Sequence, residues 1–385
     1  MKRLVLAGAG HAHAQVLLDC VRRPLPDTEL VLVSPQPLAP YSGMVPGWLA
    51  GMYRFDQIVI DFPALCAAAG ARWQQGELHS LDAQRSLLHL GDGSTLDYDL
   101  LSLNVGSTLH APRTDPATVL ALRPLAELHA AWEPLLQRWQ QHLDDRVFTV
   151  TAVGGGAAGF ECLLAVLARL RALRPERRVE GTLVSRASEL LPGLAPAAVR
   201  SARRALAQAG ASVQLETSWS EAIADRSDLV LWATGAEAHA WQQDAARRGG
   251  LGVSERGFIR VDQTLRSVSH PQIFAVGDCA EWADPLPKAG VYAVRMGPTL
   301  IHNLRAALGE GSPQAFRPQR RFLVLLSTAD GRAIASRGRF GAEGPWVWRW
   351  KNHIDRGFVD RFVVPTAGAD TTHGSASSMH GPSTD

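Results

Sequence analysis

The sequence predicts an α/β protein with two Rossmann-like, parallel-sheet units, the first interrupted by the second, and a small C-terminal region. Two glycine-rich turns carry the prediction: Gly8-Ala9-Gly10-His11-Ala12-His13 and Gly154-Gly155-Gly156-Ala157-Ala158-Gly159 each follow an apolar strand and open a helix. A third element, Ile273-Phe274-Ala275-Val276-Gly277-Asp278, reads as a strand ending in Gly-Asp. Glycines at such turns let the backbone approach a pyrophosphate, and the helix N-terminus then offers free N–H groups to its charge. Two turns therefore imply two dinucleotides in one molecule, and Asp278 would set a carboxylate beside a ribityl or phosphate chain.

The elements follow in order. A strand over Arg3 to Ala7, a helix over His13 to Arg22 and a strand over Glu29 to Ser34 make the first βαβ unit, with continuous apolar strands of the kind that a parallel sheet buries on both faces. Pro40-Tyr41-Ser42-Gly43-Met44-Val45-Pro46-Gly47 is dense in turn formers and leads into a helix-rich stretch ending near Gly70. Strand-like pieces follow at 71–74, 86–90 and 100–105. Leu125 to Leu143 has helical spacing and reads as a connection. The second unit runs through strand 146–153, a helix to Leu173, strand 181–185, helix 196–208, strand 211–215 and strand 228–232, which ends in Ala233-Thr234-Gly235. The chain then returns to the first unit, and Val291 to Leu308 is a helix. The expected boundaries are 1–112 with 252–315 for the first unit, 113–145 for the helical connection, 146–251 for the second unit, 316–365 for the C-terminal region and 366–385 for a disordered tail rich in Ser, Thr, Gly and His.

Composition narrows the function classes. A chain of 385 residues, 46% of them hydrophobic, is long enough for several domains with a substantial core. The formal charge of +2, from 39 basic and 37 acidic residues, favours no nucleic acid. The apolar run after Lys2-Arg3 meets the glycine turn too soon for a signal core, and no stretch approaches a spanning helix. Cys20, Cys66, Cys162 and Cys279 form no C-x-x-C pair, so a reducing cytoplasm is the expected compartment. Cys162 and Cys279 each follow a site motif; a place beside a redox centre and a place as small buried hydrophobes are both open.

In the first turn His13 stands where a third glycine is usual, so the helix is expected slightly farther from the strand. His11 and His13 spell H-x-H but need not converge, and no metal is expected. The second turn keeps all its glycines and continues Phe160-Glu161. Ser34 and Ser185-Arg186 stand where an acidic ribose ligand is usual. Arg186 either accepts a 2′-phosphate or points into solvent.

On these segments the chain resembles the flavoproteins with two dinucleotide-binding domains, the pyridine nucleotide-disulfide oxidoreductase superfamily, and particularly its type II NADH dehydrogenase-like branch. Within that branch, the first glycine turn, Leu32-Val33-Ser34-Pro35, Pro40 to Gly47 and Trp350-Lys351-Asn352-His353-Ile354-Asp355-Arg356 look like the subfamily often fused ahead of selenide, water dikinase. The resemblance covers roughly residues 1 to 362. It implies FAD on Gly8, Gly10, His11 and Ser34, on the loop of Tyr41, Ser42, Gly43, Met44 and Pro46, on Gly106 and Ser107, on Gly277 and Asp278, and on Lys288, Ala289 and Gly290 at a helix N-terminus facing the flavin. Lys288 is equally open to a solvated surface place. NAD(P)H would use Gly154, Gly156, Gly159, Glu161, Ser185, Arg186, Thr234 and Gly235. Glu161 and Lys288 are the candidate catalytic side chains, although flavin chemistry itself demands no general acid or base. The active-site disulfide of the glutathione reductase branch is missing, and no cysteine follows Cys279 to complete the thiol pair of sulfide:quinone oxidoreductases.

The expected activity is thus hydride transfer from NAD(P)H to FAD and onward to a quinone or other small acceptor. A flavin- or nucleotide-bound accessory module linked to selenophosphate synthesis, without NAD(P)H turnover, is the alternative. In the segment 346–362 aromatic and basic residues interleave, with Val347, Trp350, Ile354 and Phe358 expected on one face. That face either closes the flavin domain or a homodimer, which is the preferred expectation, or touches the inner membrane face as a peripheral helix.

Overall fold

Five parallel strands form the first sheet, in the order Ile273–Ala275, Leu100–Leu103, Lys2–Ala7, Thr28–Ser34 and Arg72–Gln75. The computed structural model describes residues 1–364 apart from 116, 142–144 and 320–321; the tail expected to be disordered lies outside the described residues. Leu4, Val5, Leu6 and Ala7 are fully buried, as expected of a strand covered on both faces. Strand Ile273–Ala275 returns to this sheet after the second unit is complete, so the first unit is discontinuous in sequence.

The helices His11–Arg22 and Gly290–Leu308 pack on one another beside this sheet. Arg305 joins them, with its guanidinium 2.6 Å from Asp19 and 3.2 Å from Glu310. This buried arginine is paired on both sides, as a buried charge must be.

The second sheet is also parallel, in the order Thr118–Ala121, Leu229–Trp232, Phe148–Val153, Val179–Val184 and Ala211–Gln214. Strand Thr118–Ala121 lies inside the stretch expected to be a helical connection. It is the edge of the second sheet, and the helix Leu125–Gln141 follows it. Four residues are too few to show period-2 patterning, which is why the strand was not expected.

An antiparallel three-stranded sheet, Val324–Ser327, Ala333–Arg337 and Phe340–Gly344, precedes the helix Pro345–Val359. The expected helix is there, turned from the expected face. Val347, Lys351, Asp355 and Phe358 are buried, while Trp346, Trp350 and Ile354 are 48%, 41% and 41% exposed. Lys351 and Asp355 neutralise one another, so their stripe can face inward and the aromatic stripe next to it faces out.

Candidate functional site

The first glycine turn closes on an asparagine. Gly8, at φ +99°, has a backbone that L side chains rarely adopt, and a Cβ there would overlap the Asn104 backbone. A Cβ on Gly10 would overlap the Asn104 side chain. Asn104 follows strand Leu100–Leu103; its Oδ1 accepts from the Ala12 amide at 3.2 Å and its Nδ2 donates to the Val276 carbonyl at 3.1 Å. One buried side chain thus joins the turn to the Gly277-Asp278 strand end.

His13 is fully buried at the start of the helix. Its ring nitrogens meet the Gly8 carbonyl at 2.7 Å and the Ser102 hydroxyl at 2.8 Å, so it stitches helix to strand where glycine would give close packing. His11 points elsewhere, into a ring cluster with Tyr41 at 5.3 Å and Phe358 at 5.8 Å. The two histidines of the H-x-H pair therefore diverge. Burial pushes each imidazole down to about 4, so both are neutral at physiological pH.

The Tyr41 loop meets two other elements. A Cβ on Gly290, the first residue of helix Gly290–Leu308, would overlap the Ser42 hydroxyl, so the loop lies against that helix N-terminus. From the other side, Lys351 Nζ donates to the Gly43 carbonyl at 2.7 Å and to Asp355 Oδ2 at 2.7 Å. Tyr53 OH donates to Asn352 Oδ1 at 2.6 Å, and the Phe358 ring sits 4.7 Å from Tyr41. Burial raises both Asp355 and Tyr41, and the Lys351 charge opposes the shift of Asp355.

Glu161 belongs to this neighbourhood rather than to the second glycine turn that precedes it. Its carboxylate accepts from the Ser327 amide of the C-terminal sheet at 2.7 Å. Burial pushes it up to about 7, against the pull of the Lys351 ammonium. Lys288 is engaged away from solvent: it donates to the Ala280 carbonyl at 2.6 Å, lies 3.8 Å from Glu281 and sits 3.7 Å over the Phe258 ring. Ser34 is likewise turned to its own loop, donating to the Gln36 carbonyl at 2.6 Å.

Ser107 and Asp278, both expected at FAD, meet one another, and an arginine joins them. Arg123 Nη1 donates to Ser107 Oγ at 2.6 Å and to Asp278 Oδ2 at 2.5 Å, while Ser107 Oγ donates to Asp278 at 3.2 Å. Just beyond, the two chain crossings between the units pair with each other: the Thr108 and Glu237 amides each donate to the other's carbonyl at 2.9 Å.

In the second turn Gly154 has φ +134°, and a Cβ on Gly159 would overlap the Gly154 carbonyl. Ser185 is buried under Gly155, its Oγ accepting from the Ala187 amide at 3.2 Å, while Arg186 beside it is exposed. Gly156 and Gly235 have open space where a side chain would be, and so has Gly106 in the first unit. None of the three helices, at the two turns and at Gly290, is capped by the side chain of its own N-cap residue or has an acidic residue in its first turn, and in the first of them Asn104 already takes the Ala12 amide. First-turn N–H groups beside the open Gly156, and at the first turn the N–H groups that Asn104 leaves free, suit the diphosphate of a dinucleotide such as FAD or NAD(P)H.

The thiols are inert. Cys279 is fully buried, donates to the Val276 carbonyl at 3.2 Å and is pushed up to about 11 by burial; burial raises Cys162 as well. Neither is a thiolate at neutral pH. Asn104, Arg123, Lys351 and Asp355 were not expected from the sequence. A polar residue ending an apolar strand signalled Asn104, whereas nothing local marked the other three.

Residues 2–304 match the pyridine nucleotide-disulphide oxidoreductase family. Over 158 residues the chain is 28% identical to the type II NADH:quinone oxidoreductase of Haemophilus influenzae, a match covering 37% of this chain and 35% of that protein. The chain thus spans about a third of the length of that relative. In fold it is similar to the sulfide:quinone oxidoreductase of Aquifex aeolicus (TM-score 0.74, 14% identity, 94% of this chain and 91% of that one). It is similar also to NDH2 of Plasmodium falciparum in complex with NADH (TM-score 0.73, 11% identity, 94% and 97%). With the match covering most of its length and two glycine turns on two parallel sheets, the chain belongs to the pyridine nucleotide-disulphide oxidoreductase family, whose flavoproteins use FAD and NAD(P)H.

Proposed function

We propose that this chain is an FAD-dependent oxidoreductase that takes reducing equivalents from NAD(P)H and delivers them to a quinone or another small oxidant. The observation that carries the assignment is the pair of glycine turns that open helices, one on each parallel sheet, with the crossings between the two units bridged at Thr108 and Glu237. The first turn, with Asn104, Gly277 and Asp278, would hold FAD; the second, with the open Gly156 and Gly235, would hold the nicotinamide nucleotide. Bound flavin supplies the electron exchange itself.

The side chains contribute position and protons. The Tyr41 to Met44 loop, clamped between Gly290 and Lys351, gives the flavin end of the site a wall that does not shift. Reduction of a quinone consumes a proton for each electron, and Glu161, poised at about 7, can carry one near neutral pH. Lys351 and Asp355 continue from it along the buried face of the C-terminal helix. The neighbouring face of that helix, with Trp346, Trp350 and Ile354 exposed beside Arg349 and Arg356, favours contact with a lipid surface, where a membrane quinone would be met. No helix among the described residues is long and apolar enough to cross a membrane.

Anaerobic mixing with NADH and with NADPH tests the assignment, followed by reoxidation with a short-chain quinone. Bleaching of the flavin band and its return on adding quinone are expected. A flavin that neither nucleotide reduces would overturn it.

A further inference from the structure

A cavity of about 350 Å³ lies between the second unit and the C-terminal sheet, and no residue of either glycine turn lines it. Helix Pro196–Gln208 supplies Ser201 and Arg204 to one wall, the turn after strand Val324–Ser327 supplies Thr328 and Arg332, and Glu343 comes from strand Phe340–Gly344. Two arginines converge there on one carboxylate. Arg204 Nη2 donates to Glu343 Oε1 at 2.7 Å and to Ser201 Oγ at 3.1 Å, while Arg332 Nη2 stands 3.7 Å from the same carboxylate oxygen, an ion pair beyond hydrogen-bond reach. Hydrogen bonds from Ser201 and Arg204 hold Glu343 below its ordinary value, so it is ionised and offsets one of the two cations. Asp330, the other acid of the cavity, is turned to its own loop, accepting from the Thr328 hydroxyl at 2.5 Å and from the Arg332 amide at 3.2 Å. Among the described residues the Arg332 guanidinium thus has its N–H donors and no hydrogen-bonded acceptor. The surroundings have the same sign. The helix carries Arg200, Arg203 and Arg204 with no acid, and residues 328–343 add Arg332, Arg337 and Arg339 against Asp330 and Glu343, in a chain whose charges otherwise nearly balance.

We propose that this cavity binds a phosphate group, separate from both dinucleotide turns, with Arg332 and Arg204 as its ligands. A guanidinium presents a planar fork that matches two oxygens of a phosphate, and Arg204 has Nε and Nη1 left over after Ser201 and Glu343. Glu343 sets the two forks beside one another, and at 56% and 46% exposure both arginines can be reached from solvent without any opening of the fold. A phosphate supplies the negative charge that one carboxylate leaves wanting, whereas a cationic ligand would meet the surplus arginines. The position also gives the site a consequence. Ser327 ends its strand by giving its amide to Glu161 at 2.7 Å, and the next residue, Thr328, lines the cavity and gives its own amide to the Arg332 carbonyl at 3.1 Å. A phosphate held by Arg332 therefore orders the turn that also holds Glu161. The inference is independent of the FAD assignment, because none of these residues belongs to that site.

The test is calorimetric titration of the purified full-length protein with pyrophosphate, paired with hydrogen exchange of the segment 324–332 and with circular dichroism to check folding. The variants are Arg332→Ala, Arg332→Lys and, as a control, Arg203→Ala, an exposed arginine of the same helix that does not line the cavity. Arg332→Ala is expected to raise the pyrophosphate Kd about tenfold or more, and Arg332→Lys to recover part of the loss, since a point charge lacks the fork. Arg203→Ala should leave the Kd unchanged. Pyrophosphate should slow exchange in 324–332 of the wild type and not of Arg332→Ala. Vesicles of phosphatidylcholine with and without phosphatidylglycerol separate the two sources of phosphate: displacement of pyrophosphate by the anionic vesicles alone assigns the site to a lipid headgroup, and no displacement assigns it to a soluble ligand. Absence of pyrophosphate binding would overturn the proposal. So would binding that Arg332→Ala leaves intact, which would belong to the glycine turns, and binding that Arg203→Ala and Arg332→Ala weaken alike, which would be diffuse attraction to a basic surface.

Discussion

The ammonium of Lys351 donates to the carbonyl of Gly43, 308 residues earlier in the chain, at 2.7 Å. It donates equally to Asp355 on its own helix at 2.7 Å, and the two side chains are 6% and 8% exposed. A buried ion pair on one helix thus holds the loop that we propose walls the flavin end of the site.

Removing one member of this pair should cost much more than removing both. Lys351→Met leaves Asp355 buried without its partner, for an expected loss of roughly 3–5 kcal/mol. Lys351→Met with Asp355→Leu should recover most of that loss, since no charge is left buried. Chemical denaturation of the single and double variants measures the difference. A double variant no more stable than the single one would mean that the Gly43 contact, rather than charge balance, holds the helix.

Glu161 gives a pH dependence with a definite sign. Its folded-state value of about 7 lies above the ordinary 4.5, so the folded protein holds the proton more tightly than the unfolded chain. That contribution is full below about pH 4.5 and is lost as pH rises through about 7. Glu161→Gln keeps an acceptor for the Ser327 amide and removes the titration. It should gain roughly 1–3 kcal/mol relative to wild type between about pH 5 and about pH 8. Parallel denaturation curves at the two pH values check this, and an unchanged difference would place the carboxylate in a solvated environment.

The two glycine turns and their parallel sheets were legible because glycine at a strand end and uninterrupted apolar runs are local signals. The family resemblance named Ser107, Asp278, the Tyr41 loop and Gly290 as site residues, but not that Ser107 touches Asp278 or that the loop lies against Gly290. The rest depends on long-range packing. Lys351 and Asp355 look in sequence like an exposed pair one helical turn apart, and only the Gly43 carbonyl above them and Glu161 nearby explain their burial. Hydrophobic spacing alone assigned Trp350 and Ile354 to the buried face, because it cannot register that a neutralised pair may sit inside. Lys288, expected either at the flavin or on the solvated surface, is held by Ala280, Glu281 and Phe258, a contact set that the motif around it does not encode.

Bulk at Gly156 should affect the nucleotide alone. A Cβ there meets no protein atom within 4 Å, so Gly156→Val adds its side chain to open space rather than to a neighbour. The variant is expected to keep its flavin spectrum and melting temperature while its reduction by NAD(P)H slows by at least about tenfold, as one lost backbone approach to a pyrophosphate implies. Stopped-flow reduction is the measurement, and unchanged rates would remove this turn from the donor site.

The donor preference turns on Arg186. Ser185 is buried beneath Gly155 and offers no carboxylate to a ribose, while Arg186 is exposed next to it and free of a like-sited acid. Arg186→Ala should therefore raise the NADPH Michaelis constant about tenfold with little change for NADH, the effect of losing one charged phosphate contact. Equal changes for both donors would mark a solvent-facing arginine.

The exposed stripe of the C-terminal helix should decide where the protein meets its acceptor. Trp346 and Trp350 stack at 6.4 Å, Ile354 continues their line one turn on, and Arg349, Arg356 and Arg361 flank it. Trp and Ile beside arginine suit the boundary between headgroups and acyl chains, and the arginines add attraction to anionic lipid. Wild-type protein is expected to float with vesicles of phosphatidylcholine and phosphatidylglycerol, and to float less as salt rises. Replacing Trp346, Trp350 and Ile354 by serine should abolish flotation while changing stability by no more than about 1 kcal/mol, because these side chains protrude from the folded surface. Reduction of a water-soluble quinone should be unaffected, and reduction of a long-chain quinone in vesicles should fall with the flotation. If instead wild-type protein stays at the bottom of the gradient and the triple variant converts a dimer to a monomer, the stripe covers a second copy of the chain and the acceptor reaches the site by another route.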